Sequence, residues 1–392
     1  MGNESLPYNP LVLRWARETA GYTIEEIAAK FKKTPEVITE WENGESSPTY
    51  VQLERLAYEI FKRPLAVFFF PEPPQEISPK ESFRTLPQYE IEQMSPKFKY
   101  ILRQAHAMQE KLRELNEGLN PAKKLLITDF VINRQASIED VASMLRKYLG
   151  VSLETQKAWR NEEFALKYWR TLLEEQGIFV FKEAFRDEAF SGFCIYDDTY
   201  PIIYLNNSKS KTRQIFTLFH ELAHILFKTG GVDTRLEDYM DYLDEESKKI
   251  EVYCNKFAAS FLVPEADFRT QIVGKSISEY TFASLAKQYN VSREVILRKY
   301  LDLGIVDRAF YLQKSQEWAD QARKAKEAQK KEKNRGQFFN TKSAYLGHYY
   351  MGLVFTKYYQ QKISSEQVAD YFGVKTNHIA KLESIYLNGA EA

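Results

Sequence analysis

The chain has 392 residues, 54 basic and 54 acidic, so its formal net charge is zero and no global field draws it to nucleic acid or membrane. That length exceeds one ordinary core and predicts two or three domains, while the 44% apolar content excludes an intrinsically disordered chain. Two cysteines, Cys194 and Cys254, make no disulfide framework, Met1 to Asn9 lack the marks of a signal peptide, and the longest apolar run, Leu65 to Phe70, is too short to span a bilayer. The expectation is a cytoplasmic protein with no membrane contact.

In chain order, Thr23-Ile24-Glu25-Glu26-Ile27-Ala28 opens a helix, with Thr23 as N-cap and Glu26 closing a capping box. Thr34 can cap the next helix, Pro35 takes its first position, and Asn43-Gly44 makes a left-handed stop. On these residues, Leu11 to Phe70 resembles the XRE-type helix-turn-helix domain. If its second helix reads DNA, Thr34, Glu36, Val37 and Thr39 lie nearest the bases. Charge argues the other way. Met1 to Pro71 carry eight basic and ten acidic residues. Glu36, Glu40 and Glu42 would repel phosphate unless Arg14, Lys30, Lys32 and Lys33 gather on the docking side. The other reading is a module for homodimerisation or partner docking that keeps the same fold.

The proline-dense stretch Pro71 to Glu76 reads as a linker. Helical periodicity follows over Pro96 to Leu119, Ile138 to Leu149 and Glu154 to Gln176. Gly177 to Phe181 reads as a strand. Gly192 to Tyr196 and Pro201 to Leu205 read as a hairpin turning at Asp197 to Tyr200. Helices are predicted over Lys211 to Lys228 and Asp244 to Leu262, the second stopped by Pro264.

Within the first of these helices lies Thr217-Leu218-Phe219-His220-Glu221-Leu222-Ala223-His224. Histidines four apart share one face of a helix, so both imidazoles can reach one zinc ion. Glu221 projects beside the metal without binding it, where it can take a proton from activated water. The remaining histidines, His106, His348 and His378, lie in other segments, so the third ligand is expected to be a carboxylate. Glu251, 27 residues beyond His224 in the next helix, is the choice, with Asn255 one turn further on to orient the ligands. Asp244, Glu245, Glu246 and Cys254 are the rivals. For the oxyanion no donor is singled out; Tyr239, Tyr242 and Tyr253 are near in sequence and are expected to pack. The strand Pro201 to Leu205 is the candidate edge on which an extended substrate would pair.

The remainder reads as helical. Asp320 to Arg335 is lysine-rich with interspersed glutamate and reads as a solvated helix or connector. One internal similarity runs through the chain. Ile27 to Ile38, Leu285 to Ile296 and Val368 to Ile379 share one frame: an apolar–Ala–x–x–aromatic helix end, a short turn and a second helix. Of the three, the first is the candidate for reading DNA.

His220-Glu221-Leu222-Ala223-His224, then Glu251-x-x-Cys254-Asn255-x-Phe257-Ala258 and Phe261-Leu262-Val263-Pro264, resembles the ImmA/IrrE family of bacterial metallopeptidases over about Thr155 to Gly304. The family usually has Ala at the position of Cys254. The resemblance implies a gluzincin-like site, with the same roles for His220, Glu221, His224 and Glu251, and cleavage of helix-turn-helix repressors. The expected fold class is α+β, mostly α. Residues 1–71 would form the helix-turn-helix domain, 72–154 a linker and helical segment, 155–304 a zincin-like peptidase with a small antiparallel-containing sheet, and 305–392 a helical C-terminal region. The expected function is a zinc-dependent endopeptidase acting on a repressor-type protein in a bacterial or phage stress or mobile-element response. The alternatives are a DNA-binding regulator whose zinc domain is a sensor, and an antitoxin-like binding protein.

Overall fold

The computed structural model describes residues 7–83, 88–132, 135–228, 231–233, 245–330 and 338–389. The chain divides into two compact units, 1–106 with 185–187, and 107–184 with 188–392. No described helix is long and apolar enough to cross a membrane.

The first unit begins with α1 (Pro10–Ala20), α2 (Ile24–Phe31), α3 (Pro35–Asn43) and α4 (Tyr50–Arg55), which runs on as a π-helical turn, Leu56–Phe61. The capping box at Thr23 is present: its hydroxyl accepts from the Glu26 N–H at 3.2 Å, and the Glu26 carboxylate accepts from the Thr23 N–H at 2.9 Å. Thr34 stands at the N-cap of α3 but makes no side-chain cap bond, and Gly44 ends that helix at φ 79°. Val12, Leu13, Ala16, Ile27, Ile38, Trp41, Leu53 and Phe68 form the core these helices share. The linker stretch has neither helix nor strand, yet it is pinned. The Arg63 guanidinium holds the Glu76 carboxylate, with Nη2–Oε2 at 2.8 Å. Short helices α5 (Pro79–Ser82) and α6 (Gln88–Gln93) follow.

The division between units falls within α7 (Pro96–Leu115). That helix stops short of the expected Leu119 because Glu117 and Gly118 take left-handed backbone, at φ 55° and 81°. Next come α8 (Leu126–Asp129), α9 (Ile138–Leu149), α10 (Leu153–Lys157) and α11 (Glu162–Glu175). One helix was expected over Glu154 to Gln176; the chain breaks it at Ala158 to Asn161. There Asn161 restarts the helix, its side chain accepting from the Phe164 N–H at 2.9 Å.

Three strands follow, β1 (Phe179–Glu183), β2 (Gly192–Ile195) and β3 (Ile202–Asn206), then α12 (Lys211–Leu226), β4 (Gly231–Asp233) and α13 (Glu245–Leu262). The sheet order is β1-β3-β2-β4. The pair β1/β3 is parallel, while β2/β3 and β2/β4 are antiparallel. The expected hairpin is therefore real, and Asp197 builds its turn by accepting from the N–H groups of Thr199 and Tyr200 at 2.9 and 2.7 Å. Every residue of β2 and β3 is buried, which explains their unbroken apolar runs. Aromatic rings lock α11, α12 and α13 together. The Trp169 ring meets Phe219 edge-on at 5.0 Å, and Phe219 stacks on Phe261 at 4.2 Å. Helices α9 and α11 belong to this same core.

The rest is helical: α14 (Glu265–Ile272), α15 (Glu279–Tyr289), α16 (Arg293–Asp302), α17 (Arg308–Lys330), α18 (Phe338–Leu346), α19 (His348–Tyr359), α20 (Ser365–Phe372) and α21 (Ile379–Gly389). The last turn of α18 is held by one side chain. Arg170 on α11 donates to the carbonyls of Ala344 at 2.8 Å, Leu346 at 2.9 Å and Val180 of β1, and pairs with Glu174 at 3.1 Å. Gly347 leaves this clasp at φ 87°, and a Cβ there would collide with the guanidinium.

Candidate metal centre

The site is built where α12 lies beneath the sheet and α13 packs beside it. Ser210 caps α12 by accepting from the Arg213 N–H at 3.2 Å, and the helix then runs without a break through both histidines. Everything from Gln214 to Ile225 is buried. Two polar imidazoles and two carboxylates thus sit in the driest part of the unit, where such groups persist only with strong partners.

His220 and His224 project from adjacent turns and bring their Nε2 atoms to 3.2 Å. Glu251 on α13 closes the group, with Oε2 3.4 Å from His220 Nε2 and Oε1 3.3 Å from His224 Nε2. A tetrahedral zinc with arms of about 2.0–2.1 Å requires ligand–ligand edges of about 3.3–3.4 Å. Each histidine faces a different oxygen of Glu251 at close to that spacing, and the three side chains are grouped closely enough that this donor set could hold a metal ion. Burial alone would raise the Glu251 carboxyl; the facing His224 and His220 hold it well below the usual carboxylate range.

Asn255 lies as expected, one turn beyond Glu251. Its Nδ2 donates to the Glu251 carbonyl at 2.8 Å, which turns Oδ1 toward His220 Nδ1 at 3.2 Å. The Nδ1–H therefore donates to Oδ1, and the lone pair of Nε2 is left to point into the cluster. Glu221 is fully buried on α12 and stays outside the three-donor group. It lies beside the Cys194 thiol, which burial and this carboxylate push well above its ordinary value. Cys254 is buried beside His224, its thiol also pushed up by burial.

Two of the rival ligands stand outside the cluster. Glu245 and Glu246 are exposed at the start of α13, away from the cluster, and Asp244 lies outside the described residues. Tyr239 and Tyr242 lie outside them too, and Tyr253 packs its ring edge-on against Phe227 at 4.7 Å. One expectation is corrected. The strand Pro201 to Leu205 is no edge for a substrate, because β3 is paired on both sides, by β1 and by β2. Among the described residues the edge on the β2 side is β4.

Residue-by-residue reading missed Gly231. Its backbone N–H donates to Cys194 Sγ at 3.2 Å, and a Cβ there would lie 2.4 Å from His224 Cγ. β4 thus lies flush on the second imidazole and limits where that ring can go. The signal in the sequence was a Gly230-Gly231 pair directly after the metal helix, a place where backbone must pass close to something.

On the helix-turn-helix of the first unit, Thr34, Glu36 and Thr39 are exposed and Val37 is half-buried against the core. The Thr39 hydroxyl donates to the Pro35 carbonyl at 3.1 Å. The acidic count overstated the repulsion. Glu42 is buried and held by Arg17 through two bonds, 2.6 and 2.9 Å, with Arg14 3.7 Å away. Glu40 accepts from the Ser46 hydroxyl at 3.1 Å.

A helix-borne pair of histidines, closed by a carboxylate from the next helix, puts the second unit in the class of metallopeptidase domains. Residues 173–300 match the family model of the IrrE N-terminal-like domain, and residues 13–57 match that of a helix-turn-helix. The chain thus carries an IrrE-like metallopeptidase domain behind an XRE-type helix-turn-helix. Over 99 residues it is 33% identical to the radiation response metalloprotease IrrE of Deinococcus radiodurans, a match covering 25% of this chain and 30% of that relative. The family implies a metal.

The contact at Gly231 is testable. Gly231→Ala must move either β4 or the His224 ring, and metal affinity is expected to fall by about 10–100-fold, as when a ligand loses its supporting contact. Competition against a chromophoric chelator measures it; an unchanged affinity would mean that β4 exerts no hold on the ring.

Proposed function

We propose that the chain is a zinc-dependent endopeptidase that cleaves a repressor-type regulatory protein. His220, His224 and Glu251 hold the metal, and Glu221 is the catalytic base. The observation that carries this reading is the buried cluster of His220, His224 and Glu251, in which the two imidazole Nε2 atoms stand 3.2 Å apart and each faces its own oxygen of Glu251, at 3.4 and 3.3 Å. Three protein ligands leave the fourth position of such a tetrahedron for water or substrate, the pattern of catalytic zinc sites.

Bound zinc supplies Lewis-acid polarisation of a carbonyl and brings the pKa of water down to about 7. Asn255 fixes the tautomer of His220, so that its Nε2 stays a donor to the metal. Glu221 takes the proton of the attacking water and delivers it to the leaving amine.

The helix-turn-helix of the first unit adds DNA binding, with Thr34, Glu36, Val37 and Thr39 on the reading helix. The internal neutralisation of Glu42 by Arg17 supports this. A peptidase joined to a DNA-reading module fits a regulatory switch, and the likeness to a radiation response metalloprotease supports a stress setting. The test is to incubate the zinc-loaded protein with helix-turn-helix proteins encoded beside it. Fragments are expected that vanish with a chelator and return with zinc. A stoichiometric complex without fragments would replace this reading with an antitoxin-like one.

A further inference from the structure

The three similar segments of the sequence close in the same way. In each, an N–H beyond the first helix donates to the carbonyl of the shared alanine: Lys33 to Ala28 at 3.0 Å, Val291 to Ala286 at 3.0 Å and Val374 to Ala369 at 2.9 Å. The residue just before each donor, or its equivalent, is left-handed: Lys32 at φ 53°, Asn290 at 57° and Gly373 at 62°. These are three helix-turn-helix segments built on one turn, α2/α3, α15/α16 and α20/α21.

Their second helices differ in what they show to solvent. The frame places Val295 and Leu297 of the middle copy where the first copy has Val37 and Thr39, and both are buried. That copy is core. In the last copy the second helix opens as a tight turn, Thr376–His378, and continues as α21. Here Lys375, Thr376, Asn377, Ala380 and Lys381 are all exposed.

Charge separates the last copy from the first. Between Asp370 and Glu383 there is no carboxylate, whereas the first copy carries Glu36 and Glu40 on its reading helix. The flanking acids are engaged elsewhere: Asp370 pairs with Lys111 at 3.0 Å, and Glu383 accepts from the Tyr359 hydroxyl at 2.5 Å. Residues 338–389 hold five lysines and three carboxylates. An outward helix face with two lysines, an amide and a hydroxyl, and no negative charge, is complementary to a polyanion with readable base edges.

We infer that α20/α21 is a second, unassigned duplex-DNA-binding site, with Lys375 and Lys381 on phosphates and Thr376 and Asn377 at the base edges.

The test uses the full chain and a fluorescein-labelled random-sequence duplex, read by fluorescence anisotropy across a salt series. The double variant Lys375→Glu/Lys381→Glu should weaken binding by about tenfold or more at low salt. It should also flatten the slope of log affinity against log salt by roughly 1 to 2, the loss of one or two phosphate contacts. Lys375→Gln/Lys381→Gln, checked for an unchanged melting temperature, should give the same flattening and keeps the test open if the charge reversal misfolds. Lys32→Glu/Lys33→Glu reports the first copy separately. An unchanged salt slope in the Lys375/Lys381 variants overturns the inference, as does a wild-type chain that fails to bind the duplex at low salt. A surface that instead joins two copies of the chain would appear as a dimer in sedimentation velocity, lost in the double variant while the slope stays the same, and would overturn it too.

Discussion

Glu221→Gln is expected to leave zinc stoichiometry at the wild-type level and to cut the rate of substrate cleavage by about 10²–10⁴-fold, the range for loss of a positioned general base. The reason is a division of labour between the metal donors and their neighbour. The three donors that face one another are His220, His224 and Glu251, and the Glu221 carboxylate stands apart from them beside Cys194. An amide of the same shape fills that buried place without a charge and cannot accept the proton. Metal content by atomic absorption and fragment yield by mass spectrometry read the two halves separately. Cleavage at the wild-type rate would remove Glu221 from the chemistry and leave the metal assignment standing. Loss of zinc together with cleavage would make it part of the ligand network.

The second large effect is on stability. Arg170→Met removes the cation that pairs with Glu174 and holds the end of α18 against β1. Both partners are buried, Glu174 at 2% exposure, so the variant leaves a carboxylate in a dry environment; the expected loss is about 3–5 kcal/mol. The loss should depend on pH. Burial, opposed by Arg170, already pushes Glu174 up to about 7. A carboxyl raised above its unfolded value stabilises the fold while it is protonated, and that contribution is lost as pH rises through the folded value. Without Arg170 the rise goes further, so destabilisation should be greater at pH 8 than at pH 5. Melting temperatures of the two proteins at both pH values check this. Equal losses at both would mean that the carbonyl bonds of Arg170, and not the charge of Glu174, govern the clasp.

The sequence carried the local features well and the distant ones poorly, for identifiable reasons. Helix ends at Thr23 and Pro264 follow from a capping box and a proline, which act within one turn. The cluster His220, His224 and Glu251 was legible because helical spacing fixes the first two and the scarcity of histidine leaves a carboxylate for the third. The place of β3 was not, because nothing local tells a doubly buried edge from a central strand. Its parallel partner β1 and its antiparallel partner β2 are chosen by the packing of the whole sheet. Charge on α3 was misread for the same reason. Glu42 meets Arg17 across 25 positions of chain, and a count of acids has no access to that pairing.

The short strand Gly231–Asp233 has a further consequence. Among the described residues it is paired by β2 alone, so a peptide extending the sheet there would meet an edge of three described positions. Such an edge offers two or three backbone bonds, each worth about 0.5–1.5 kcal/mol. That is too little to choose one protein among thousands by reading the residues around the scissile bond. For the proposed endopeptidase, selectivity would then rest on tethering: a surface elsewhere on the chain would hold the target, and the raised local concentration would bring even a loosely gripped segment to the cluster. In such an enzyme, changing the residues at the cut would matter less than cutting the tether.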